Sequence, residues 1–385
     1  MFTDRLSVPL RPAPRARLDQ AAGARRLVRR LAGSGLLEAL AAPHGVERYL
    51  ELVRPGFSLR DVRAEIVDVR RPTPTSTTLR LRPNELWGGF LAGQFASMTV
   101  EIDGVRRTRC YSPTSSQHAT DGHLEFTIRS HPQGLVSRYL HEHAHPGMVV
   151  ELTQAGGDFV LPTPRSERLL LLSGGSGITP VVSMLRTLCD EGHDAPVTFL
   201  HYARHRRDVP YAGELEALAA RNRNVRVACL YTREPGNRSR GHISRGQLRA
   251  VDPRHREAEV YVCGPSGLIE GTRALWAREG REEHVHSESF LGPRLTALPG
   301  EPGGSVSFTA SGVQVPASGA TLLEQAEQAG LSPAYGCRMG ICHTCTRRKL
   351  GGRVRNVNSG ELSSLEEEDV QLCVSVPAGD VVLDL

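Results

Sequence analysis

The chain has 385 residues and a formal net charge of +5, with 39% hydrophobic and 23% charged residues. That length exceeds one ordinary domain, so two or three cores are expected. No apolar run approaches the roughly 18 residues that span a bilayer, and so small a positive charge argues against a nucleic-acid partner.

The charge is unevenly placed. Residues 1–30 hold eight arginines (5, 11, 15, 17, 25, 26, 29 and 30) against Asp4 and Asp19, a net of +6, whereas Lys349 is the only lysine. The Met-Phe-Thr-Asp start lacks the n-region and apolar h-region of a secretory signal, so a cytoplasmic address is expected. Residues 1–58 read as a basic, helical extension: Leu27, Val28, Leu31, Leu36, Leu37 and Leu40 recur at helical spacing around Gly33-Ser34-Gly35. Arg54-Pro55-Gly56 closes it.

Residues 59–162 change to short alternating strands, at 63–69, 77–81, 95–102, 124–128 and 149–152, separated by turn residues. This pattern predicts an antiparallel β-barrel. Over 163–291 mostly apolar strands at 169–172, 197–202, 225–230 and 259–262 alternate with helix-like segments, which predicts an α/β unit with a parallel sheet. A Pro/Gly-rich linker covers 292–303. Residues 304–385 read as an α+β unit: a hairpin at 305–315, a helix at 321–329, a cysteine loop and a final strand.

Four of the eight cysteines lie in that last unit, and clustering in a chain without a secretory signal points to metal. Cys337, Cys342 and Cys345 have C-x4-C-x2-C spacing, and Cys373 follows 28 positions later. This is the plant-type [2Fe-2S] pattern, in which two bridged irons each take two thiolates. A four-thiolate zinc site is the alternative, but zinc ligands usually pair as two short knuckles. Gly336 and Gly340 let the loop fold tightly. The stretch from Tyr335 to Cys345 resembles the ligand loop of plant-type ferredoxins, which implies a β-grasp fold for 304–385.

Further motifs stand upstream. Arg109-Cys110-Tyr111-Ser112 ends a barrel strand. Gly134-Leu135-Val136-Ser137 opens a helix, where free N–H groups receive anionic oxygens. Gly174-Gly175-Ser176-Gly177-Ile178-Thr179-Pro180 joins a strand to a helix, where backbone can approach a pyrophosphate. Cys263-Gly264-Pro265 follows another strand. Together they resemble ferredoxin-NADP reductase-like flavoproteins, and with the ferredoxin unit the resemblance covers 59–385, in the order of oxygenase and acyl-desaturase reductases.

The resemblance implies specific roles. Arg109 would meet the flavin pyrophosphate, Tyr111 pack on the flavin and Ser112 bond near its N5, with Gly134, Val136 and Ser137 as the second phosphate contact. FAD is the expected flavin and FMN the alternative. Gly174, Gly175, Gly177 and Thr179 would hold the dinucleotide, with Cys263, Gly264 and Pro265 beside the nicotinamide. Phe290 matches an aromatic near the flavin ring, although core packing explains it as well. Arg204 and Arg206 follow the second parallel strand, where a 2′-phosphate would select NADPH over NADH, or they are simply solvated.

His141, His143 and His145 are read as a solvated helix terminus ended by Pro146-Gly147. Ser363 and Ser364 before Glu366-Glu367-Glu368-Asp369 read as a capped helix start.

A nicotinamide gives two electrons as hydride and a [2Fe-2S] cluster takes one, so a flavin must stand between them. The expected function is an NAD(P)H oxidoreductase passing electrons through flavin to its own cluster, with Ser112, Cys263 and Phe290 nearest the chemistry. A redox sensor or assembly module without turnover is the rival from another class. The acceptor protein is expected to be a soluble oxygenase or a membrane diiron fatty-acyl desaturase. The basic arm could lie on an anionic membrane or pack on the barrel.

Overall fold

The computed structural model describes residues 56, 58–132, 134–234, 243–290, 304–336, 340, 343–357, 360–363 and 365–385. The helices expected in 18–53, the 292–303 linker, Cys337 and Cys342 lie outside the described residues.

Three sheets follow one another along the chain. The first comprises β1 (Val62–Thr73), β2 (Ser76–Pro83), β3 (Ala96–Ile102), β4 (Val105–Tyr111), β5 (Leu124–Arg129) and β6 (Val149–Leu152), in the order β4-β3-β6-β1-β2-β5. All its pairings are antiparallel. The edge strands β4 and β5 approach each other, curling the sheet into a half-barrel around Ala64, Ile66, Leu79, Met98 and Phe126. Alternation of these residues with solvated ones gives each strand one dry face. Helix α1 (Leu135–His143) packs Val136 and Leu140 into that core. His143 is its last residue, so His145 lies beyond the helix. His141 Nδ1 stands 2.7 Å from Thr77 Oγ1, which ties this helix end to the barrel.

The second sheet has β7 (Leu169–Gly174), β8 (Val197–Ala203), β9 (Val225–Tyr231), β10 (Glu259–Cys263) and β11 (Val285–Glu288), in the order β11-β10-β7-β8-β9. Every pairing is parallel. β7 and β8 are buried along their whole lengths, as expected for strands covered on both faces. Helices α2 (Ile178–Asp190), α3 (Ala212–Arg221), α4 (Arg245–Val251) and α5 (Ser266–Ala277) supply the cover. The chain winds outward from β7 through β9 and then returns to place β10 on the other side of β7. This creates a topological switch at the carboxyl ends of β7 and β10, where α/β sheets bind ligands.

The third sheet is mixed: β12 (Ser305–Phe308), β13 (Val313–Pro316), β14 (Thr346–Asn356), β15 (Glu368–Gln371) and β16 (Ser375–Leu383), ordered β13-β12-β16-β14-β15. Helix α6 (Leu322–Gln328) crosses it, capped by Thr321, whose Oγ1 accepts from Glu324 N while its own N–H donates to the Glu324 carboxylate.

The acidic run does not start a helix. Glu368 and Asp369 open strand β15, paired with Arg348 and Lys349 of β14. Two carbonyls a helix would have used are taken: Lys349, fully buried, donates from Nζ to Leu365 O at 2.5 Å and Glu366 O at 3.2 Å, and also to Gly352 O of β14 at 2.8 Å. Its charge lies 3.2 Å from Glu368 Oε1. No helix among the described residues is long and apolar enough to cross a membrane.

Candidate functional site

A cavity of about 220 Å3 lies where the half-barrel meets the parallel-sheet unit. Strand β4 brings Arg109 and Tyr111 to its wall and delivers Ser112 just beyond its end. The start of α1 adds Gly134, Val136 and Ser137, while the second unit contributes Ser176, Thr179 and Phe290. Four motifs far apart in sequence thus line one groove.

These residues fit a flavin nucleotide. Ser112 is 2% exposed, yet its Oγ has no partner among the described residues. A buried hydroxyl left unsatisfied costs about 1–3 kcal/mol, so this one calls for a bound acceptor or donor. Gly134 caps α1 in an extended conformation, and a Cβ there would stand 2.4 Å from Ser137 Oγ. That leaves a bare first turn whose N–H groups have no intrahelical acceptor and can receive anionic oxygens. Ser137 Oγ accepts from His131 N at 3.2 Å and donates to Gly134 O at 3.3 Å, holding the turn. Burial pushes the Tyr111 phenol up, outweighing the Arg109 charge, so its ring remains neutral packing surface. Arg129 also lines the groove. Sequence reasoning missed it, since it ends an ordinary barrel strand.

Gly174, Gly175 and Gly177 lie outside the lining and flank Ser176 in the chain. Gly175 takes the left-handed φ of +57° that favours glycine. A Cβ on Gly177 would stand 2.2 Å from Cys263 O, and one on Gly174 2.9 Å from Pro265 Cδ. A Cβ on Gly264 would in turn stand 3.0 Å from Gly174 N. The two glycine motifs therefore pack backbone on backbone at the switch point, each requiring the other to lack a side chain. Thr179 Oγ1 donates to Ser176 O at 3.2 Å and closes the turn.

Cys263 is completely buried, and burial, reinforced by Glu288, pushes its thiol well above the ordinary range. It is a neutral thiol. The parallel register of β10 and β11 sets Cys263 opposite Glu288, whose Oε2 is buried without a hydrogen-bond partner among the described residues. Burial raises the Glu288 carboxyl to about 8, so it holds its proton at neutral pH. Glu288 is a residue that sequence reasoning passed over while noting Phe290.

Arg204 and Arg206 follow β8, away from the groove lining. Arg206 Nη2 lies 3.4 Å from Glu216 Oε1, an exposed pair of small energetic consequence.

Cys345 and Cys373 are 2% and 5% exposed and belong to the third unit's core. Leu372 N donates to Cys345 O at 3.3 Å, and Gln371 Nε2 donates to Gly340 O at 2.8 Å, tying the loop to the end of β15 and the turn that carries the fourth cysteine. The buried thiols of Cys345, at the end of the glycine-containing loop, and Cys373, on the turn after β15, fit a thiolate-ligated cluster. This loop also reaches the flavin groove: the Arg109 guanidinium stands 5.6 Å from the Tyr335 ring centroid and 3.5 Å from Gly336 O.

Comparison with known proteins gives the same three parts in the same order. Residues 74–160 match the oxidoreductase FAD-binding domain, 171–274 the oxidoreductase NAD-binding domain and 308–378 the 2Fe-2S iron-sulfur cluster binding domain. An NADPH oxidoreductase of Mycobacterium tuberculosis is 36% identical over 88% of this chain and 88% of its own length. The chain belongs to the ferredoxin-reductase family of iron–sulfur flavoproteins. A glycine betaine monooxygenase reductase subunit of Pseudomonas aeruginosa is 31% identical over 77% of this chain and 87% of its own. Phthalate dioxygenase reductase shares the fold, with a TM-score of 0.57 at 22% identity, covering 85% of this chain and 98% of that one. Like other family members, the chain is an oxidoreductase that carries electrons from NAD(P)H through FAD to a [2Fe-2S] centre. The sensor without turnover is thereby set aside.

The state of Glu288 has a thermodynamic signature. Its raised folded pKa favours the fold fully below the unfolded value of about 4.3 and loses that contribution as pH rises through about 8. Glu288→Gln removes the loss, so the melting temperature of the variant minus that of the native protein should grow from pH 5 to pH 8. A difference that stays constant over this range would show that Glu288 ionises normally.

Proposed function

We propose that this reductase drives an oxygenase, with NADPH as donor and the residues of the groove in the following roles. Arg109 and the first turn of α1 at Gly134, Val136 and Ser137 bind the flavin phosphates, and Tyr111 packs against the ring. Ser112 donates its otherwise unsatisfied hydroxyl to the ring edge. Gly174, Gly175, Gly177 and Thr179 admit the nicotinamide dinucleotide at the switch point, with Cys263, Gly264 and Pro265 as the floor under its reactive end. Phe290, which lines the groove, would pack beside the flavin ring. Bound flavin supplies the step-down from two-electron to one-electron chemistry. Glu288 keeps a proton at its carboxyl in a dry setting behind Cys263. Cys337, Cys342, Cys345 and Cys373 hold the cluster.

The observation that carries this reading is the contact of Arg109 with Tyr335 and Gly336, which joins the flavin groove to the loop that leads into Cys337. Among the relatives, the glycine betaine monooxygenase reductase subunit and a 3-ketosteroid-9-alpha-monooxygenase ferredoxin reductase component support an oxygenase acceptor. Arg204 and Arg206, beyond β8, support NADPH, because guanidinium pairs with the 2′-phosphate. A membrane fatty-acyl desaturase is the second reading. It is favoured by the +6 charge of residues 1–30, which would draw a cytoplasmic protein to an anionic surface.

Three experiments test this. Cys342→Ser should abolish the reduced-cluster EPR signal and cytochrome c reduction while NADPH-driven ferricyanide reduction persists; a normal EPR signal would remove this cysteine from the ligand set. Native protein should prefer NADPH over NADH in kcat/KM, and Arg204→Ala or Arg206→Ala should narrow that preference about tenfold, the worth of one charge-assisted phosphate contact. Equal use of both coenzymes by the native protein rejects the 2′-phosphate role. Deleting residues 1–53 should leave ferricyanide reduction and vesicle binding unchanged if the acceptor is a soluble oxygenase. A loss of binding to phosphatidylserine vesicles together with loss of desaturase turnover would favour the membrane acceptor instead.

A further inference from the structure

A second cavity, about 840 Å3, lies between the barrel and the ferredoxin unit. One wall is the β3–β4 hairpin, with Arg106, Arg107 and Arg109; the other carries Glu327 and Tyr335 of the ferredoxin unit. Arg109 lines both this cavity and the flavin groove, so the two meet at the side chain assigned to the flavin phosphates. Size bears on what each can hold. The groove alone, at about 220 Å3, falls below the usual 300–1,000 Å3 of a cofactor pocket, too small for a whole dinucleotide.

The polar groups of the second cavity suit one kind of occupant. Arg106 is committed to Glu151 by an ion pair. Arg107 Nε is buried without a partner among the described residues, a donor awaiting an acceptor. The Tyr335 ring, already facing the Arg109 guanidinium, is an aromatic surface of the sort on which bases stack. Glu327 adds to the lining a carboxylate, the kind of group to which an exocyclic amine donates. Phosphate donors, an aromatic platform and an amine acceptor together describe an aminopurine nucleotide.

We propose that this cavity receives the adenylate half of FAD, clamped between strand β4 and the ferredoxin unit. Arg107 binds ribose or phosphate oxygen, Tyr335 stacks on the adenine and Glu327 accepts from its amino group. Flavin binding and ferredoxin docking are then linked: FAD, bridging the two units, tightens their association, and a docked ferredoxin unit tightens FAD by the same factor. FMN, ending at Arg109, does neither.

This rests on the assignment of the flavin groove, and the test separates the two. Full-length protein, stripped of flavin but retaining its cluster, is titrated with FAD and with FMN by fluorescence quenching. Native protein should bind FAD more tightly than FMN. Arg107→Ala and Tyr335→Leu should each weaken FAD about tenfold and leave FMN unchanged. Arg109→Ala should weaken both flavins. If Arg109→Ala weakens both but neither of the other variants affects FAD, the clamp is wrong and the groove stands. If Arg109→Ala affects neither flavin, the groove assignment falls and the clamp with it. The reduced-cluster EPR signal confirms an intact ferredoxin unit in each variant, and should Tyr335→Leu lose it, the FAD affinity of Arg107→Ala decides.

Discussion

The arrangement depends on one arginine. Arg186, on α2 of the nucleotide unit, donates from Nη1 to Thr114 O at 2.6 Å and Glu125 Oε1 at 2.9 Å, both on the barrel side. Its Nε and Nη2 each donate to the Glu214 carboxylate at 2.7 Å, within its own unit. The guanidinium also lies 5.1 Å from the Tyr211 ring centroid, and the Tyr211 hydroxyl donates to Thr127 Oγ1 of β5. Burial alone would raise the Glu125 carboxyl, but Arg186 and Arg70 hold it below its usual range. Removing one partner of such a buried network costs about 3 kcal/mol, because the others are left desolvated and unpaired. This joint, together with the bonds from Ser183 Oγ to Ser115 O at 2.6 Å and from Gln117 N to Thr187 Oγ1 at 3.1 Å, sets Ser176, Thr179 and Phe290 opposite Tyr111 and Ser112. The groove belongs to the interface between two units, and its geometry is as fixed as that interface.

Much of the fold is legible in the chain because local chemistry and global fold agree there. The alternating strands have one dry face, the apolar run 169–172 is buried on both sides, and Thr321 with Glu324 caps its helix as the spacing suggests. The glycines of 174–177 and 264 read as close-approach positions, although sequence alone does not reveal that they approach each other. That follows from strand order, a long-range property in which β10 returns beside β7.

Where the reading fails, tertiary partners override local signals. Strand β14 is the longest of the third unit, yet its Thr-Arg-Arg-Lys-Leu-Gly-Gly-Arg-Val-Arg-Asn sequence has neither alternation nor β-branched enrichment. It is a strand because β15 and β16 pair with both its edges. The serines and acids of 363–369 have the composition of a helix start, but Lys349 captures the carbonyls and Arg348 draws Glu367 and Asp369 across the sheet. Glu288 carries no sequence mark; only the β10–β11 register gives it Cys263 for a neighbour and a dry environment.

Lys349 has a further consequence. As the chain's only lysine, wholly enclosed and engaged by three carbonyls, it withholds the protein's entire complement of side-chain amines from solution while the third unit is folded. Acylating reagents aimed at lysine therefore meet no target on the native surface, and a modified Lys349 records a local opening of this unit alone. Since its release also frees residues 365–366 from their anchor, an opened molecule acylated at Nζ would have lost the charge that holds them. The chain thus contains a single-site chemical reporter for excursions of its electron-exit unit, silent to motions of the other two.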